Sequence, residues 1–180
     1  MCRELRHALE CIPQADITEQ EHRLIELSNR FDHTITVIDD PALFLPGGGT
    51  YNCYAYAFNL CESEEYLLIA RDHDNAVFAN SDFIQYLLDR NMLIELYKAR
   101  IIENGIIIYF LEGNPSHAGK IQGSRVISKW GTGLLFGHEI LDIPISYGNA
   151  YKIYNAVTAD DALELFYDFA EIRGWEFERV

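Results

Sequence analysis

Cys53 is the residue whose surroundings in the sequence best suit covalent chemistry. A glycine run at 47–49 precedes it, and Tyr54-Ala-Tyr-Ala57 follows it directly. The glycines favour an irregular approach, whereas the small and aromatic residues favour a buried helix that begins at Cys53. The first turn of a helix stabilises a thiolate through its free N–H groups and the positive end of its dipole. The pattern therefore predicts a nucleophilic cysteine at a helix start.

A cysteine nucleophile needs an imidazole base close to it in space, and His117 is the candidate. It follows Asn-Pro-Ser and opens a strand-like run, where the backbone would hold the ring rigidly. The imidazole needs a polar partner to orient it, and Ser128 on the next run can accept its N–H. His138, in Phe-Gly-His-Glu, is the rival for that role, and the sequence leaves the two open.

Support for an oxyanion is expected next to the nucleophile. The backbone N–H of Cys53 points out of the predicted first turn and can help bind the developing charge. Asn52 and Tyr51, which immediately precede the cysteine, are the candidates for supporting side chains. Trp130 and Tyr147 stand beside glycines and can line a substrate groove, although packing in the core explains them equally well.

The segments before and after the cysteine are predicted to be mainly helical. Thr18 with Glu21 resembles a capping box for a helix that ends near Arg30, and the β-branched run 34–38 predicts a short strand. The loop 46–50 then leads to a helix from Cys53 to about residue 60. Ser81 is expected to cap another helix, and residues 92–96 to follow as a strand.

The sheet is predicted from the middle of the chain onward. Runs at 105–111, 117–121 and 125–130 are separated by short turn-like breaks and should form an antiparallel meander. Residues 131–149 are rich in glycine and are expected to be irregular, with a strand at 151–154 after them. Thr158 should cap a last helix that Gly174 ends. This order of elements predicts an α+β fold.

Length and composition limit the classes of protein. The 180 residues are 49% hydrophobic, which predicts a single domain with an N-terminal helical region at 1–46, a core at 47–148 and a C-terminal strand and helix at 149–180. The net charge of −14 disfavours nucleic acid and anionic membranes as partners. No signal peptide or spanning helix is recognisable, so the chain is expected in the cytoplasm, with export by a dedicated secretion system left open. The oligomeric state is not predicted.

The cysteines and histidines give no pattern for a metal or cofactor. The four cysteines form no Cys-x-x-Cys pair, so all are expected to be thiols in a reducing compartment. The spacings of Cys53, Cys61, His73 and His117 match no usual zinc motif, and 72–74 reads as a solvated turn. We therefore expect neither a metal nor a cofactor.

A resemblance to a known superfamily joins these features. Residues 51–57, Ile108-Tyr-Phe, His117-Ala-Gly and 126–131 together resemble the papain-like NlpC-type cysteine peptidases and amidases, in particular a branch with the motif Asn-Cys-x-Ala-x-Ala. That superfamily carries a cysteine at a helix start, a histidine on a strand and a polar residue on the next strand. The resemblance covers about residues 47–148, and it implies that Cys53, His117 and the neighbourhood of Ser128 form the site.

The expected function is a cysteine hydrolase that acts on an amide bond as a peptidase, amidase or deamidase. Its substrate would be a peptide, a cell-wall peptide or a protein, and a role as a bacterial toxin or effector would fit. Three departures bear on activity: Ser128 stands where a histidine is common, Asn52 stands where cell-wall enzymes commonly have aspartate, and the segment between Cys53 and His117 is long. The alternative is a catalytically inactive, acidic protein-binding module on the same fold.

Overall fold

A computed structural model describes residues 3–31, 34–39, 51–70, 77–96, 104–131 and 133–175. Within these ranges the helices are α1 (Arg3–Leu9), α2 (Ile17–Arg30), α3 (Cys53–Ala57), α4 (Glu64–Ala70), α5 (Ser81–Asp89) and α6 (Ala159–Ile172). The strands are β1 (Ile35–Ile38), β2 (Asn104–Leu111), β3 (Asn114–Gln122), β4 (Arg125–Lys129), β5 (Leu135–His138) and β6 (Ala150–Asn155). The α+β class predicted from the sequence is confirmed.

The strands form one antiparallel sheet in the order β1-β5-β4-β3-β2-β6. The meander β2-β3-β4 is present as predicted. Its first connection is only two residues long, and both Glu112 and Gly113 have positive φ, which is what a tight hairpin turn requires. The pairing of β3 with β4 covers only Lys120–Gln122. In the first half of β3, which carries His117, β2 is therefore the only strand that pairs with it.

Apolar residues cover both faces of the sheet. Alternate residues of β2 divide between two cores, with Ile106 and Ile108 in the first and Ile107 and Tyr109 in the second, as the twofold period of a strand demands. The first core also contains residues of α3, α4, α5 and α6. The second contains Leu5, Leu9 and Leu24 from the two N-terminal helices. The site therefore lies on a sheet supported from both sides.

The structure corrects several predicted boundaries. Helix α2 is capped by Asp16, whose carboxylate accepts the Glu19 N–H, and α5 is capped by Asn80 instead of Ser81. Thr18 and Ser81 lie inside the first turns because a residue one or two positions earlier already satisfies the free N–H groups. The predicted cap at Thr158 is in place, and the structure adds Asn52 as the cap of α3.

The short helix α3 ends at Ala57, earlier than the sequence indicates. The chain turns at Asn59, whose φ is +61°, before a 3₁₀ turn at Leu60–Glu62. The strand predicted at 92–96 is reduced to a single bridge between Glu95 and Tyr154. The predicted loop at 46–50, the turn at 72–74 and Cys2 lie outside the described residues.

Two further differences concern the sheet. Leu135–His138 is a strand, although the sequence predicts irregular structure there, and all four residues are buried between β1 and β4. Strand β3 begins at Asn114 and includes Pro115, whereas the sequence predicts a turn before residue 117. A register shift between Tyr109 and Phe110 places Pro115 opposite Phe110, and such bulges are where proline is tolerated in a sheet.

Candidate active site

Cys53 is the first residue of α3, as the sequence predicts, and its side chain is 8% exposed. Three backbone N–H groups face the sulfur and favour its charged form, those of Cys53, Tyr54 and Ala118. Ala118 belongs to β3 and directly follows His117. Helix α3 and the half of β3 that is not paired with β4 therefore bring the thiol next to the backbone that carries the predicted base. The His117 side chain itself lies on the face of Tyr109, its partner in the second core, whereas Ala118 and Cys53 belong to the first core.

Asn52 holds the start of α3 in place. Its side-chain oxygen accepts hydrogen bonds from the N–H groups of Tyr54 and Ala55, each at 3.0 Å, and its amide nitrogen donates to the Ala79 carbonyl at 2.7 Å. Both ends of the amide are thus engaged in fixing the loop and helix. In this structure Asn52 therefore fixes the start of the helix that carries Cys53.

We expect Asn52→Ala to lower the free energy of unfolding by roughly 2–4 kcal/mol, because it removes a helix cap and leaves the buried Ala79 carbonyl unpaired. The matched control is Asn80→Ala, which removes the cap of α5 through one bond to the Phe83 N–H and should cost about 1 kcal/mol. Denaturant unfolding of both variants measures the difference. Equal losses would show that the bond to Ala79 contributes nothing.

Burial decides the protonation state of the thiol. Removal from water raises the pKa of Cys53 to about 12, and the three N–H groups offset this only in part. Desolvation also lowers the pKa of His117 well below 6.5, with proximity to His138 acting in the same direction. At neutral pH the two groups are therefore a thiol and a neutral imidazole.

The His117 ring lies between two tyrosines. Tyr147 stacks on it with ring centroids 4.0 Å apart and planes 14° apart, and Tyr109, its partner across the β2–β3 pair, lies 5.7 Å away. His117 is 1% exposed, and its Nε2 has no hydrogen-bond partner among the described residues. Between those residues no hydrogen bond joins the ring to the Cys53 sulfur. The imidazole is a buried base with one nitrogen available.

Tyr147 connects the two predicted groups. Besides stacking on His117, it is close enough to Cys53 for the thiolate to add to the effect of burial in raising the pKa of its phenol. Its hydroxyl accepts the Gly131 N–H at 3.1 Å. From the sequence, Tyr147 is predicted only to line a substrate groove or to pack in the core. Nothing in its spacing shows that a turn some 30 residues downstream lies over His117.

Ser128 and His138, the two rivals for the orienting role, are bonded to each other. The Trp130 indole N–H donates to Ser128 Oγ at 2.9 Å, and Ser128 lies 2.8 Å from His138 Nε2. His138 Nδ1 lies 2.8 Å from the Glu139 carbonyl. Because a carbonyl only accepts, Nδ1 carries the proton, so Ser128 donates to Nε2. These hydrogen bonds run from Trp130 through Ser128 and His138 to Glu139 and do not involve His117.

Tyr51, two residues before Cys53, contacts Lys129. Tyr51 is buried, and the Lys129 ammonium lies 4.0 Å from the centre of its ring. Such a contact stabilises a buried cation. Tyr51 therefore packs against Lys129 next to the start of α3. No local pattern in the sequence predicts that the lysine next to Ser128 is buried.

The described residues hold no group of three or more His, Cys, Asp or Glu side chains able to bind a metal ion. In the same part of the chain Cys11, Cys53 and Cys61 form no disulfide. None of the helices in the described ranges is long and apolar enough to cross a membrane.

Comparison with known proteins adds a family. No curated protein and no solved structure matches the chain. A family model described as a domain of unknown function, DUF7689, matches residues 46–155, a span that includes Cys53, His117, Ser128 and His138. Since the match covers more than half of its 180 residues, the chain belongs to the DUF7689 family.

Proposed function

We propose that the protein is a cysteine hydrolase that cleaves an amide bond, with Cys53 as the nucleophile and His117 as the base, on a papain-like arrangement. The observation that carries the proposal is the position of the thiol. It lies at the first turn of α3, under N–H groups of both α3 and β3, and the β3 donor directly follows His117. The first turn of a helix is a setting that thiol nucleophiles use, and the backbone that carries the proposed base lies directly against it.

The neutral resting pair fixes the order of events. His117 takes the thiol proton as the sulfur attacks the amide carbon, forming a C–S bond and an oxyanion. The backbone N–H of Cys53, which the Asn52 side chain does not bind, stabilises that oxyanion. The imidazolium then gives its proton to the leaving amine as the C–N bond breaks, and water hydrolyses the thioester to release the acid.

The substrate class follows from the same proposal. A peptide, a cell-wall peptide or a protein side-chain amide would supply the required acyl carbon. The net charge of −14 disfavours acidic substrates and favours neutral or basic ones. Ser128 and His138 have no direct role in this proposal, because they are hydrogen-bonded to each other and not to His117.

A second candidate is supported by a specific observation. Burial raises the pKa of Cys53 to about 12, and a thiol held neutral in this way is a weak nucleophile. An inactive, acidic binding module on the same fold would show such a thiol. The two candidates differ in the reactivity of Cys53 and in its dependence on His117.

Labelling with iodoacetamide and with amide-directed electrophiles, read by peptide mass spectrometry, separates them. The hydrolase predicts that the electrophile captures Cys53, and that His117→Ala slows capture by about 100-fold or more, the contribution expected of a general base. Cys61→Ala is the matched control, because Cys61 is a second buried thiol of the same core and its loss should leave Cys53 labelling unchanged. If Cys53 reacts no faster than Cys61, and His117→Ala changes neither rate, the binding module is favoured.

A further inference from the structure

We propose that Tyr147 is a positioning residue for the His117 imidazole, and that helix α1 holds Tyr147 in place through Arg6. The proposal deepens the hydrolase proposal, on which its catalytic consequence rests. It joins a turn inside the span matched by the family to helix α1, which lies outside both that span and the resemblance.

The first step is the contact between the two rings. Tyr147 stacks almost parallel on His117 at 4.0 Å, and Tyr109 lies on the same ring at 5.7 Å. With Nε2 unbonded among the described residues, stacking takes the place of a hydrogen bond in fixing the plane of the imidazole. A general base must be held in one orientation, because small misplacements of a catalytic group lower rates steeply.

The second step is what holds the turn that carries Tyr147. Arg6, which is 5% exposed, donates from Nε to the Ile143 carbonyl at 3.1 Å and from Nη2 to the carbonyls of Pro144, at 3.4 Å, and Gly148. One guanidinium thus binds carbonyls on both sides of Tyr147. A planar group with five donors is well suited to such a task.

The third step is that a second residue of α1's segment binds the same turn. Glu10 accepts the Ser146 N–H at 3.0 Å, and this bond helps lower the pKa of the Glu10 carboxyl against a larger opposing effect of burial. From strand β3, the Ser116 hydroxyl donates to the Tyr147 carbonyl at 2.7 Å. Ser116 directly precedes His117, so the turn is fixed both to α1 and to the strand of the base.

The experiment is NMR of the histidine rings, combined with Cys53 labelling. His117→Gln assigns the His117 signals, and the exposed His7 and His22 serve as internal references. Among the described residues, the ionisable groups near His117 are the phenols of Tyr109 and Tyr147 and the imidazole of His138, and the Cys53 thiol lies against the backbone of the next residue, Ala118. Tyr147→Leu should remove the ring-current shift of His117 and raise its pKa toward 6.5, because water then reaches the ring. Arg6→Met should move both readouts in the same direction.

The matched control is Tyr147→Phe, which keeps the stacked ring and removes only the bond to Gly131. It should leave the His117 shift and pKa as in the wild type. In a reactive protein, Tyr147→Leu should also slow Cys53 labelling by about tenfold or more. The proposal is overturned if either folded Tyr147→Leu or Arg6→Met leaves the His117 signals unchanged. It is also overturned if wild-type Cys53 is reactive and Tyr147→Leu leaves its labelling rate unchanged. If the ring signals move while wild-type Cys53 is itself unreactive, the positioning role stands and the hydrolase proposal fails.

Discussion

Gly148→Ala is expected to lower the free energy of unfolding by about 4 kcal/mol or more, or to prevent folding. An added Cβ would lie 2.2 Å from the Phe110 carbonyl oxygen and 2.6 Å from its carbon, and the residue has φ of +103°. The clash is with backbone at the bulge of β2, so no side chain can move to relieve it. Thermal or denaturant unfolding measures the loss.

Gly113→Ala is the matched control. Its φ is +88°, close to that of Gly148, but an added Cβ would meet nothing within 4 Å. It should lose only about 1–2 kcal/mol from the left-handed backbone. The difference between the two variants measures the clash with Phe110 together with the cost of the Gly148 backbone, whose ψ of 178° at positive φ suits glycine alone. Equal losses would mean that the turn at 143–148 can move away from β2 without penalty.

The protein is expected to lose stability as the pH falls from 7 toward 4, and His138 should account for about 3 kcal/mol of the loss. Burial lowers the pKa of His138 from 6.5 to about 4. Between these values the unfolded chain binds a proton that the folded chain does not, so acid favours unfolding. The contribution is complete above about pH 6.5 and is lost as the pH falls through that interval.

His117 acts in the same direction, because burial also lowers its pKa. The test compares denaturant unfolding at several pH values for the wild type, His138→Gln and His117→Gln. Each variant should show a shallower fall in stability than the wild type over this interval, whatever its stability at pH 7. His22→Gln, at an exposed position, should keep the wild-type slope. A slope unaltered by both buried substitutions would contradict the buried, neutral state of these rings.

Local chemistry made much of the fold predictable. Asn52 before Cys53 and Thr158 before the last helix are cap residues whose side chains bond N–H groups within the next three positions, so the sequence carries the whole signal. The β-branched and aromatic runs of β2 and β4 were equally clear. These elements owe their structure to neighbours in sequence.

Strand β5 shows why the rest was missed. Leu135–His138 lies between β1 and β4 and is buried on both faces, so it lacks the alternation that marks a strand with one face in solvent. The bulge that admits Pro115 into β3 depends on its partner strand in the same way. In both cases the deciding contacts come from chain far away in sequence, and no local pattern reports them.

The site divides along the same line. The start of α3 at Cys53 was predicted, because a cap and a helix are local. The pairing of Ser128 with His138 and the stacking of Tyr147 on His117 were not, because they join separate strands and a turn. The catalytic roles of Cys53 and His117 remain predictions for the labelling experiment.

The bonds from Arg6 to the turn around Tyr147 also bear on how the protein is made. Arg6 and Gly148 are 142 residues apart, and a ribosome adds about 5–20 residues per second, so the partner carbonyls follow Arg6 by on the order of ten seconds. During synthesis the Arg6 guanidinium of α1 therefore lacks these carbonyl partners until the turn at 143–148 has been made. On the proposed role of Tyr147, the His117 ring gains its final orientation only after the turn at 143–148 has been translated.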